Sequence, residues 1–315
     1  MHRQGTRIEW ADVPASVRAG VDALAGSRVV RATNVGGGFS PGPAARCELA
    51  DGRVVFVKAC GSSLNPIAPG MHRREATVLA ALPDDFPAPR LIGVVDDGDW
   101  VALVVEHVDG RMPVAPVSAD DVTAVLRAME SLSEAGTPNP VRGLDPVGVM
   151  ETSDPFGWAW RSVATSHRDD PRLDEWTRSH LDTLVELEST WPQAAAGTTL
   201  LHGDVRIDNI LLRRDDACFV DWPAASVGAR WVDLVGLLPA LHLDGAPPPA
   251  LLFDTHPLGR AADPDRVDVY LAALAGYFTH RSLLPPPPRI ESLRSFQTAQ
   301  GRVCRAWLAE RLRWH

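Results

Sequence analysis

Three valine-rich runs in the first third of the chain have the pattern of short β-strands. They cover residues 53–58, 90–95 and 100–106, and glycine, aspartate or proline separates them. Runs of this length that are rich in β-branched residues favour strands. Asp51-Gly52 stands just before the first run and Asp97-Gly98 just before the third, and Asp-Gly pairs are typical of hairpin turns. The pattern predicts a small antiparallel sheet.

One helix is predicted among these strands, over residues 71–82. Val78 and Leu79 lie on its apolar face, and Pro83 ends it because proline lacks the N–H that a helix needs. Glu75 stands one turn before Leu79. Side chains that are four residues apart share a helix face, so Glu75 is expected to point inward.

After residue 112 the periodicity becomes that of helices. Helices are predicted over residues 118–132, 174–188, 265–278 and 290–313. Ser118 is the predicted N-cap of the first, because its hydroxyl can accept a hydrogen bond from the first helical turn. The proline runs 247–249 and 285–288 are interpreted as rigid connectors between helices.

The change from strands to helices predicts an α+β fold of two lobes. The N-lobe is predicted over residues 1–106 as an antiparallel sheet with one helix, and the C-lobe over residues 113–315 as mainly helical. Residues 107–112 are the predicted hinge between them. A chain of 315 residues is long enough for this arrangement.

Composition and charge exclude several classes of protein. The chain is 45% hydrophobic and 23% charged, which excludes global disorder. Its formal net charge of −9 argues against general nucleic-acid binding and favours cationic small molecules as partners. No run reaches the roughly 18 apolar residues that a membrane helix needs, and the first residues do not form a signal peptide. We therefore expect a cytoplasmic protein with no membrane partner.

The four cysteines give no support to a zinc or redox site. Cys47, Cys60, Cys218 and Cys304 are far apart, and none forms a CxxC pair. Isolated cysteines in a chain of this size are expected to be buried, reduced thiols.

The segment with the most chemical information is His202-Gly203-Asp204, followed five residues later by Asn209. An apolar pair, Leu200-Leu201, leads into this polar loop, and an apolar triplet, Ile210-Leu211-Leu212, leads out of it. A short apolar run then ends in Asp221-Trp222, after a predicted turn over residues 213–216. Asp204, Asn209 and Asp221 would thus meet at one end of a small hairpin. Carboxylate and amide oxygens are hard ligands, which suit Mg²⁺ and phosphate chemistry.

This arrangement resembles the aminoglycoside phosphotransferase family, which shares the fold of protein kinases. The catalytic loop of protein kinases reads HRDxxxxN, and here it reads His202-Gly203-Asp204, four residues, then Asn209. The resemblance extends over nearly the whole chain. Lys58 ends a strand, as the lysine that binds ATP phosphates does, and Glu75 lies on the next helix, as its ion-pair partner does.

The resemblance also implies a role for two backbone segments. Gly36, Gly37 and Gly38 stand where the loop over the phosphates is expected. Their backbone amides would approach the phosphates closely because glycine has no side chain. Glu106 and Val108 follow the third strand, where the backbone of the hinge would bind the nucleotide base.

The roles that the resemblance implies are those of a phosphoryl-transfer site. Asp204 would accept, or at least orient, the proton of the acceptor hydroxyl. Asn209 and Asp221 would hold Mg²⁺ on the phosphates of ATP or GTP, and Lys58, fixed by Glu75, would neutralise phosphate charge. The implied partners are a nucleoside triphosphate and a small hydroxylated acceptor.

Several residues depart from the kinase pattern. Trp222-Pro223 replaces the Phe-Gly that follows the metal-binding aspartate, so neither a phosphorylation-switched activation loop nor a protein substrate is expected. Arg206 stands where the family usually has a second histidine, and it would either bind phosphate or form an ion pair. Asp233 matches a later aspartate that supports the catalytic loop.

The acceptor is the open question at this point. The net charge fits a cationic acceptor such as an aminoglycoside or another antibiotic, and acids including Asp154, Asp169 and Asp170 are candidates to line its site. A kinase of a primary metabolite, such as a sugar, a choline-like amine or an amino-acid alcohol, is the alternative.

Two further alternatives belong to other classes. Gly38 to Gly42 matches the GxSxG motif of α/β-hydrolases, with Ser40 as nucleophile, but that motif needs a helix after it and the sequence there reads as a strand. A degenerate kinase that binds nucleotide without turnover would also carry these groups. Nothing in the sequence favours it.

Overall fold

We analysed a computed structural model of the chain, which describes residues 7–36, 41–147, 158–286 and 292–314. The chain forms two compact units. The N-terminal unit comprises Met1–Pro113 and Asp208–Ala225, and the C-terminal unit comprises Val114–Ile207 and Ser226–His315. The domain boundaries inferred from the sequence, at residues 106 and 113, stay a prediction.

A five-stranded antiparallel sheet forms the centre of the N-terminal unit, with strand order β1-β2-β3-β5-β4. Its strands are β1 (Val29–Asn34), β2 (Ala44–Leu49), β3 (Val54–Gly61), β4 (Leu91–Asp96) and β5 (Trp100–Glu106). The three predicted strands correspond to β3, β4 and β5. The strand β2 also settles the hydrolase alternative, because GxSxG needs a helix at that place and β2 pairs antiparallel with β1. Ser40 itself lies outside the described residues.

Two helices cover this sheet, one more than the sequence predicted. Helix α2 (Ala68–Ala81) corresponds to the prediction and packs on β3, β4 and β5. Helix α1 (Ala15–Ala25) packs on β4 and β5. It buries Val17 and Val21, which are four residues apart on one face.

The register of β3 explains where Lys58 points. Neighbouring residues of a strand face opposite sides of the sheet. Val57 belongs to the core that includes Val17 and Val21 of α1. Lys58 therefore faces the other side of the sheet, where α2 lies.

A second hairpin completes the N-terminal unit. Strands β7 (Ile210–Leu212) and β8 (Ala217–Phe219) pair antiparallel, as predicted, around a turn in which Arg213 forms an ion pair with Asp216. The hairpin is held from both sides. Phe219 donates its N–H to the carbonyl of Pro87, and Arg111 and Leu212 exchange two backbone hydrogen bonds.

The C-terminal unit is mainly helical, which together with the antiparallel sheet confirms the predicted α+β class. Its strands β6 (Thr199–Leu201) and β9 (Ser226–Gly228) pair antiparallel. Its helices are α3 (Ala119–Ala135), α4 (Ala159–Ser166), α5 (Glu175–Glu188), α6 (Trp191–Ala194), α7 (Val232–Leu243), α8 (Pro249–Thr255), α9 (Pro257–Arg260), α10 (Pro264–Leu283) and α11 (Leu293–Leu312).

The four helices predicted for this part of the chain correspond to α3, α5, α10 and α11. Ser118 caps α3 as predicted, since its side chain accepts the N–H of Asp121. Helix α7 was not predicted. It is apolar and buried almost all round, so it lacks the amphipathic period on which the prediction depends.

Two smaller expectations concern cysteines and membrane spans. All four cysteines are buried, as expected. Within the part of the chain that the structure describes, none of the helices has the length and apolar character to cross a bilayer.

Candidate active site

Lys58 is the centre of a buried ion-pair network in the N-terminal unit. Its Nζ lies 2.8 and 3.0 Å from the two carboxylate oxygens of Glu75, and 2.8 Å from Oδ1 of Asp221. Its side chain is 15% exposed, that of Glu75 only 3% and that of Asp221 37%. Glu75 also accepts the backbone N–H of Trp222. The structure thus brings together three of the residues that the sequence singled out.

The electrostatics of this network keep Lys58 charged. Burial on its own lowers the pKa of a lysine, because it disfavours the ammonium form. The carboxylates of Asp221 and Glu75 outweigh that effect and raise the pKa of Lys58 above its ordinary value. Two carboxylates share one ammonium group here, and Glu75 is the more buried of the two. Asp221 is therefore the carboxylate that solvent, or a bound ligand, can reach.

The backbone geometry of Asp221 is unusual. It follows β8 and has φ of 74°, a left-handed conformation that is uncommon for residues other than glycine, asparagine and aspartate. This turn lets its carboxylate reach Lys58 while Trp222 continues into the core. Trp222 is fully buried, donates its Nε1–H to the carbonyl of Phe219, and packs edge-on against Phe86.

Asn209 lies beside Asp221 at the open end of the β7–β8 hairpin. It ends a short 3-10 turn (Ile207–Asn209) before β7, and its backbone carbonyl accepts the N–H of Val220. Asn209 is 5% exposed. A carboxylate oxygen and an amide oxygen that leave the same end of a hairpin are a donor set of the kind that Mg²⁺ takes. The residues present thus fit the metal that the sequence predicted.

The predicted hinge is an extended segment after β5. Glu106 donates its backbone N–H to the carbonyl of Arg90, and its side chain pairs with the Arg90 guanidinium at 2.8 Å. That N–H is thus used within the sheet. Val108 lies in the stretch between β5 and the Arg111–Leu212 bridge, outside any strand. Base binding by Glu106 and Val108 stays a prediction.

The glycine-rich segment is only partly described. Gly36 ends one described range, and Gly37 and Gly38 lie outside the described residues. Backbone hydrogen bonds hold both flanks of the segment. Val35 donates its N–H to the carbonyl of Ala44, and Ala59 donates its N–H to the carbonyl of Pro43. These bonds attach both flanks to the strands around Lys58.

Asp204 belongs to the C-terminal unit, on the loop after β6. Asp233 of α7 holds this loop, because its carboxylate accepts the backbone N–H of His202 at 2.7 Å and of Gly203 at 3.0 Å. Gly203 has φ of 80°, which favours glycine. Asp233 therefore fixes the loop through its backbone, the role inferred from the sequence. Burial raises the pKa of the Asp233 carboxyl, and the neighbouring His202 opposes that shift.

His202 is a structural residue of this loop. It is fully buried, and its Nδ1 accepts the backbone N–H of Asp204 at 3.3 Å. Because Nδ1 accepts, a neutral imidazole carries its proton on Nε2. Asp204, whose side chain is 43% exposed, is the group on this loop that an acceptor could reach.

Arg206 forms an ion pair with Asp204. Its Nη1 lies 2.8 and 2.7 Å from the two carboxylate oxygens, and its own side chain is only 12% exposed. The sequence left two roles open for Arg206, phosphate binding or an ion pair. In the structure Arg206 forms the ion pair. The guanidinium limits the rotation of the Asp204 carboxylate and so positions it.

The site includes residues that the sequence analysis missed. Tyr277 of α10 is affected by the Asp204 charge, which adds to burial in raising the pKa of its phenol. Arg281, one turn further along α10, lies 5.5 Å from the Tyr277 ring centroid. No pattern in the sequence links α10 with the loop of Asp204, because only tertiary packing brings them near.

Among the acids proposed to line an acceptor site, Asp170 is bound by Arg172 and Asp154 lies outside the described residues.

His72 is a further residue that the sequence analysis missed. It lies on α2, one turn before Glu75 and therefore on the same face, so the helical period could have revealed it. It is 7% exposed, and its Nε2 is buried without a hydrogen-bond partner among the described residues. Burial, and next the Lys58 charge, lower its pKa to about 4, although Asp221 opposes the shift.

This histidine predicts a loss of stability in mild acid. The unfolded chain protonates His72 near its ordinary pKa of about 6.5, whereas the folded chain protonates it only near 4, so protons favour the unfolded state between these values. Between pH 7 and pH 5, His72 should lower the free energy of unfolding by about 2 kcal/mol. Urea unfolding of the wild type and of His72→Gln at both pH values measures it. An equal loss in both proteins would contradict the prediction.

These features together are those of a kinase-like fold. The N-terminal unit carries an ion-paired lysine, Lys58, and the C-terminal unit carries the loop of Asp204, which Asp233 holds in place. Residues 51–281 match the family model described as the phosphotransferase enzyme family, APH. This match covers most of the chain, and the chain belongs to that family. It is a small-molecule phosphotransferase that acts on hydroxyl groups. A search of curated proteins returned no match.

Several solved structures resemble the chain. A thermostable mutant of the aminoglycoside phosphotransferase APH(4)-Ia, in complex with ADP and hygromycin B, is 13% identical, with a TM-score of 0.60 over 93% of this chain and 98% of that one. A choline/ethanolamine kinase family protein from Mesorhizobium loti is 16% identical, with a TM-score of 0.63 over 94% and 93%. An aminoglycoside phosphotransferase from Alicyclobacillus acidocaldarius is 17% identical, with a TM-score of 0.56 over 99% and 98%. At these identities the likeness shows the kinase-like fold.

Proposed function

We propose that the protein transfers the γ-phosphoryl group of ATP to a hydroxyl group of a small molecule, with Mg²⁺ as the metal. One observation carries the proposal: Lys58 Nζ binds both Glu75 and Asp221. A lysine that is fixed by a buried carboxylate and faces a more exposed one is suited to hold phosphate oxygens beside a metal ligand. ATP is favoured as donor because similar structures hold ADP or AMP-PNP. An ATP-dependent reaction also favours a cytoplasmic location.

The N-terminal unit supplies the groups for the nucleotide. Lys58 binds phosphate oxygens, and Glu75 fixes its ammonium group. Asn209 and Asp221 would hold Mg²⁺, which when bound neutralises phosphate charge during transfer. Gly36, Gly37 and Gly38 would offer backbone amides to the phosphates, and the hinge would offer the backbone of Glu106 and Val108 to the base. These roles are proposals.

The C-terminal unit supplies the group for the acceptor. In the proposed reaction the acceptor hydroxyl oxygen forms a bond to the γ-phosphorus, and the bond from that phosphorus to the β–γ bridging oxygen breaks, which releases ADP. The hydroxyl proton passes to the Asp204 carboxylate. Arg206 and Asp233 act through Asp204, one by holding its carboxylate and the other by holding its loop.

For the acceptor we propose an aminoglycoside or another antibiotic. The net charge of −9 favours a cationic molecule, and similar structures include an aminoglycoside phosphotransferase in complex with hygromycin B and an amicoumacin kinase. A primary metabolite such as a choline-like amine is the second candidate, because choline kinase structures are similar to the same extent.

A screen with γ-labelled ATP and GTP tests the proposal. The panel holds aminoglycosides, nucleoside antibiotics, sugars, choline-like amines and amino-acid alcohols. We expect label to move from ATP to a member of the panel in the presence of Mg²⁺, and not when EDTA replaces it. Nucleotide hydrolysis without labelled product across the whole panel would count against the acceptor classes. Absence of both nucleotide binding and hydrolysis would contradict the function itself.

A further inference from the structure

The N-terminal segment beside the glycine-rich stretch carries a partly buried arginine, Arg7. Arg7 donates from Nη1 to the carbonyl of Gly42 at 3.0 Å. The next residue, Ile8, donates its N–H to Pro41 and accepts a hydrogen bond from the Asn34 side chain, both at 3.0 Å. The segment is thus bound to the end of β1 and to the residues that follow the glycines.

Gly42 connects Arg7 with the strand of Lys58. A Cβ atom at Gly42 would lie 1.9 Å from the carbonyl oxygen of Ala59, so only glycine allows this approach. Ala59 follows Lys58 directly on β3. The Arg7 guanidinium is therefore tied, through one hydrogen bond and one backbone contact, to the residue next to the phosphate-binding lysine.

Arg7 also shares the electrostatic environment of the network. Burial lowers the pKa of its guanidinium, and the Asp221 carboxylate opposes that shift. Arg7 and Lys58 both act on His72, whose Nε2 is buried without a hydrogen-bond partner among the described residues. The charges of Arg7, Lys58 and Asp221 thus all act on His72.

The charges of this region explain what Arg7 is suited to bind. Arg7 and Lys58 together balance the two carboxylates of Glu75 and Asp221. If Asp221 binds a metal ion, its negative charge is shared with that ion, and further anionic oxygens beside Arg7 and Lys58 become favourable, because uncompensated buried charge is costly. A metal-bound triphosphate brings such oxygens, and a guanidinium binds phosphate through two parallel hydrogen bonds.

We propose that Arg7 is a second phosphate-binding residue, which contacts the triphosphate of the nucleotide together with Lys58, so that the segment before α1 forms part of the nucleotide site. The inference rests on the proposed function, since it assumes that the N-terminal unit binds ATP. Its alternative is that Arg7 only holds Gly42 in place.

Binding measurements on the full chain distinguish phosphate binding by Arg7 from a role that only holds Gly42 in place. Isothermal titration with adenosine, AMP, ADP and ATP in the presence of Mg²⁺ is compared for the wild type, Arg7→Met and Arg7→Lys. Arg18→Met is the matched control, because Arg18 also donates to a single backbone carbonyl, that of Val13, from helix α1. A thermal melt of each variant checks that it folds.

We expect Arg7→Met to weaken ATP binding about ten- to hundred-fold, the range of one charge-assisted contact, with adenosine affinity unchanged. Arg7→Lys should lose less ATP affinity than Arg7→Met, and Arg18→Met should bind ATP as the wild type does. Equal losses for adenosine and ATP, or no loss for ATP, would overturn the inference while wild-type ATP binding upholds the function. If Arg7→Met fails to fold, Arg7→Lys decides: an ATP loss with normal adenosine binding supports the inference, and wild-type affinity for ATP contradicts it. A wild type that binds no nucleotide refutes both proposals.

Discussion

Replacing Asp204 by asparagine should lower the turnover number by roughly two to four orders of magnitude, the usual contribution of a positioned proton acceptor. Asparagine keeps the shape of the side chain but cannot take the proton of the acceptor hydroxyl. The nucleotide groups we propose, Lys58 with Glu75 and Asp221, belong to the N-terminal unit, so affinity for ATP should stay within a few-fold of the wild type. Steady-state kinetics with the acceptor from the screen, together with titration of ATP, measure both quantities.

The matched control for this substitution is Asp215→Asn. Asp215 is an exposed carboxylate in the turn between β7 and β8, so its loss should leave the rate unchanged. Unaltered turnover in Asp204→Asn would show that another group takes the proton. A loss of ATP affinity as large as the loss of rate would mean that Asp204 acts in nucleotide binding.

Replacing Asp221 by asparagine should weaken Mg²⁺-dependent ATP binding by about a hundred-fold or more, because the substitution removes the charged metal ligand. Asparagine tolerates the left-handed backbone at this position, where φ is 74°, so the fold should persist. Without Mg²⁺ the difference between variant and wild type should shrink. Titration of ATP at several Mg²⁺ concentrations gives the metal dependence directly.

Asp221→Gly provides an independent second variant, since glycine adopts that φ with no strain and has no ligand oxygen. Asp216→Ala is the control, as it removes an exposed carboxylate that pairs only locally with Arg213 on the same hairpin. The assignment of Asp221 would be lost if both Asp221 variants gave the wild-type dependence on Mg²⁺.

The pairing of Lys58 with Glu75 could be predicted because the family resemblance implied it and the helix period agreed with it. The strand period of two places Lys58 opposite Val57, and the helix period places Glu75 on the buried face of α2. The resemblance assigned Asp221 to the metal, and its ion pair with Lys58 was not predicted from the sequence. The strand and helix periods repeat at every residue of a regular element, so a sequence is enough to read them.

The rest of the site depends on irregular backbone, which periodicity does not describe. Arg206 pairs with Asp204 only because the loop after β6 turns at Gly203, and the sequence left both roles of Arg206 open. Arg7 donates to Gly42, which lies 35 residues further along the chain, and Tyr277 is affected by Asp204 through tertiary packing. Helix α7 was not predicted for a different reason. It is buried on nearly every side, so its sequence lacks the alternation of apolar and polar faces that reveals a helix.

The tryptophan after Asp221 bears on how inhibitors could act. Trp222 is enclosed on all sides, and its indole N–H is satisfied by Phe219. Expelling a buried tryptophan would cost several kcal/mol, on the order of 3 to 5. Compounds against this protein should therefore compete for the nucleotide or the acceptor, since opening a second pocket at this buried residue is costly.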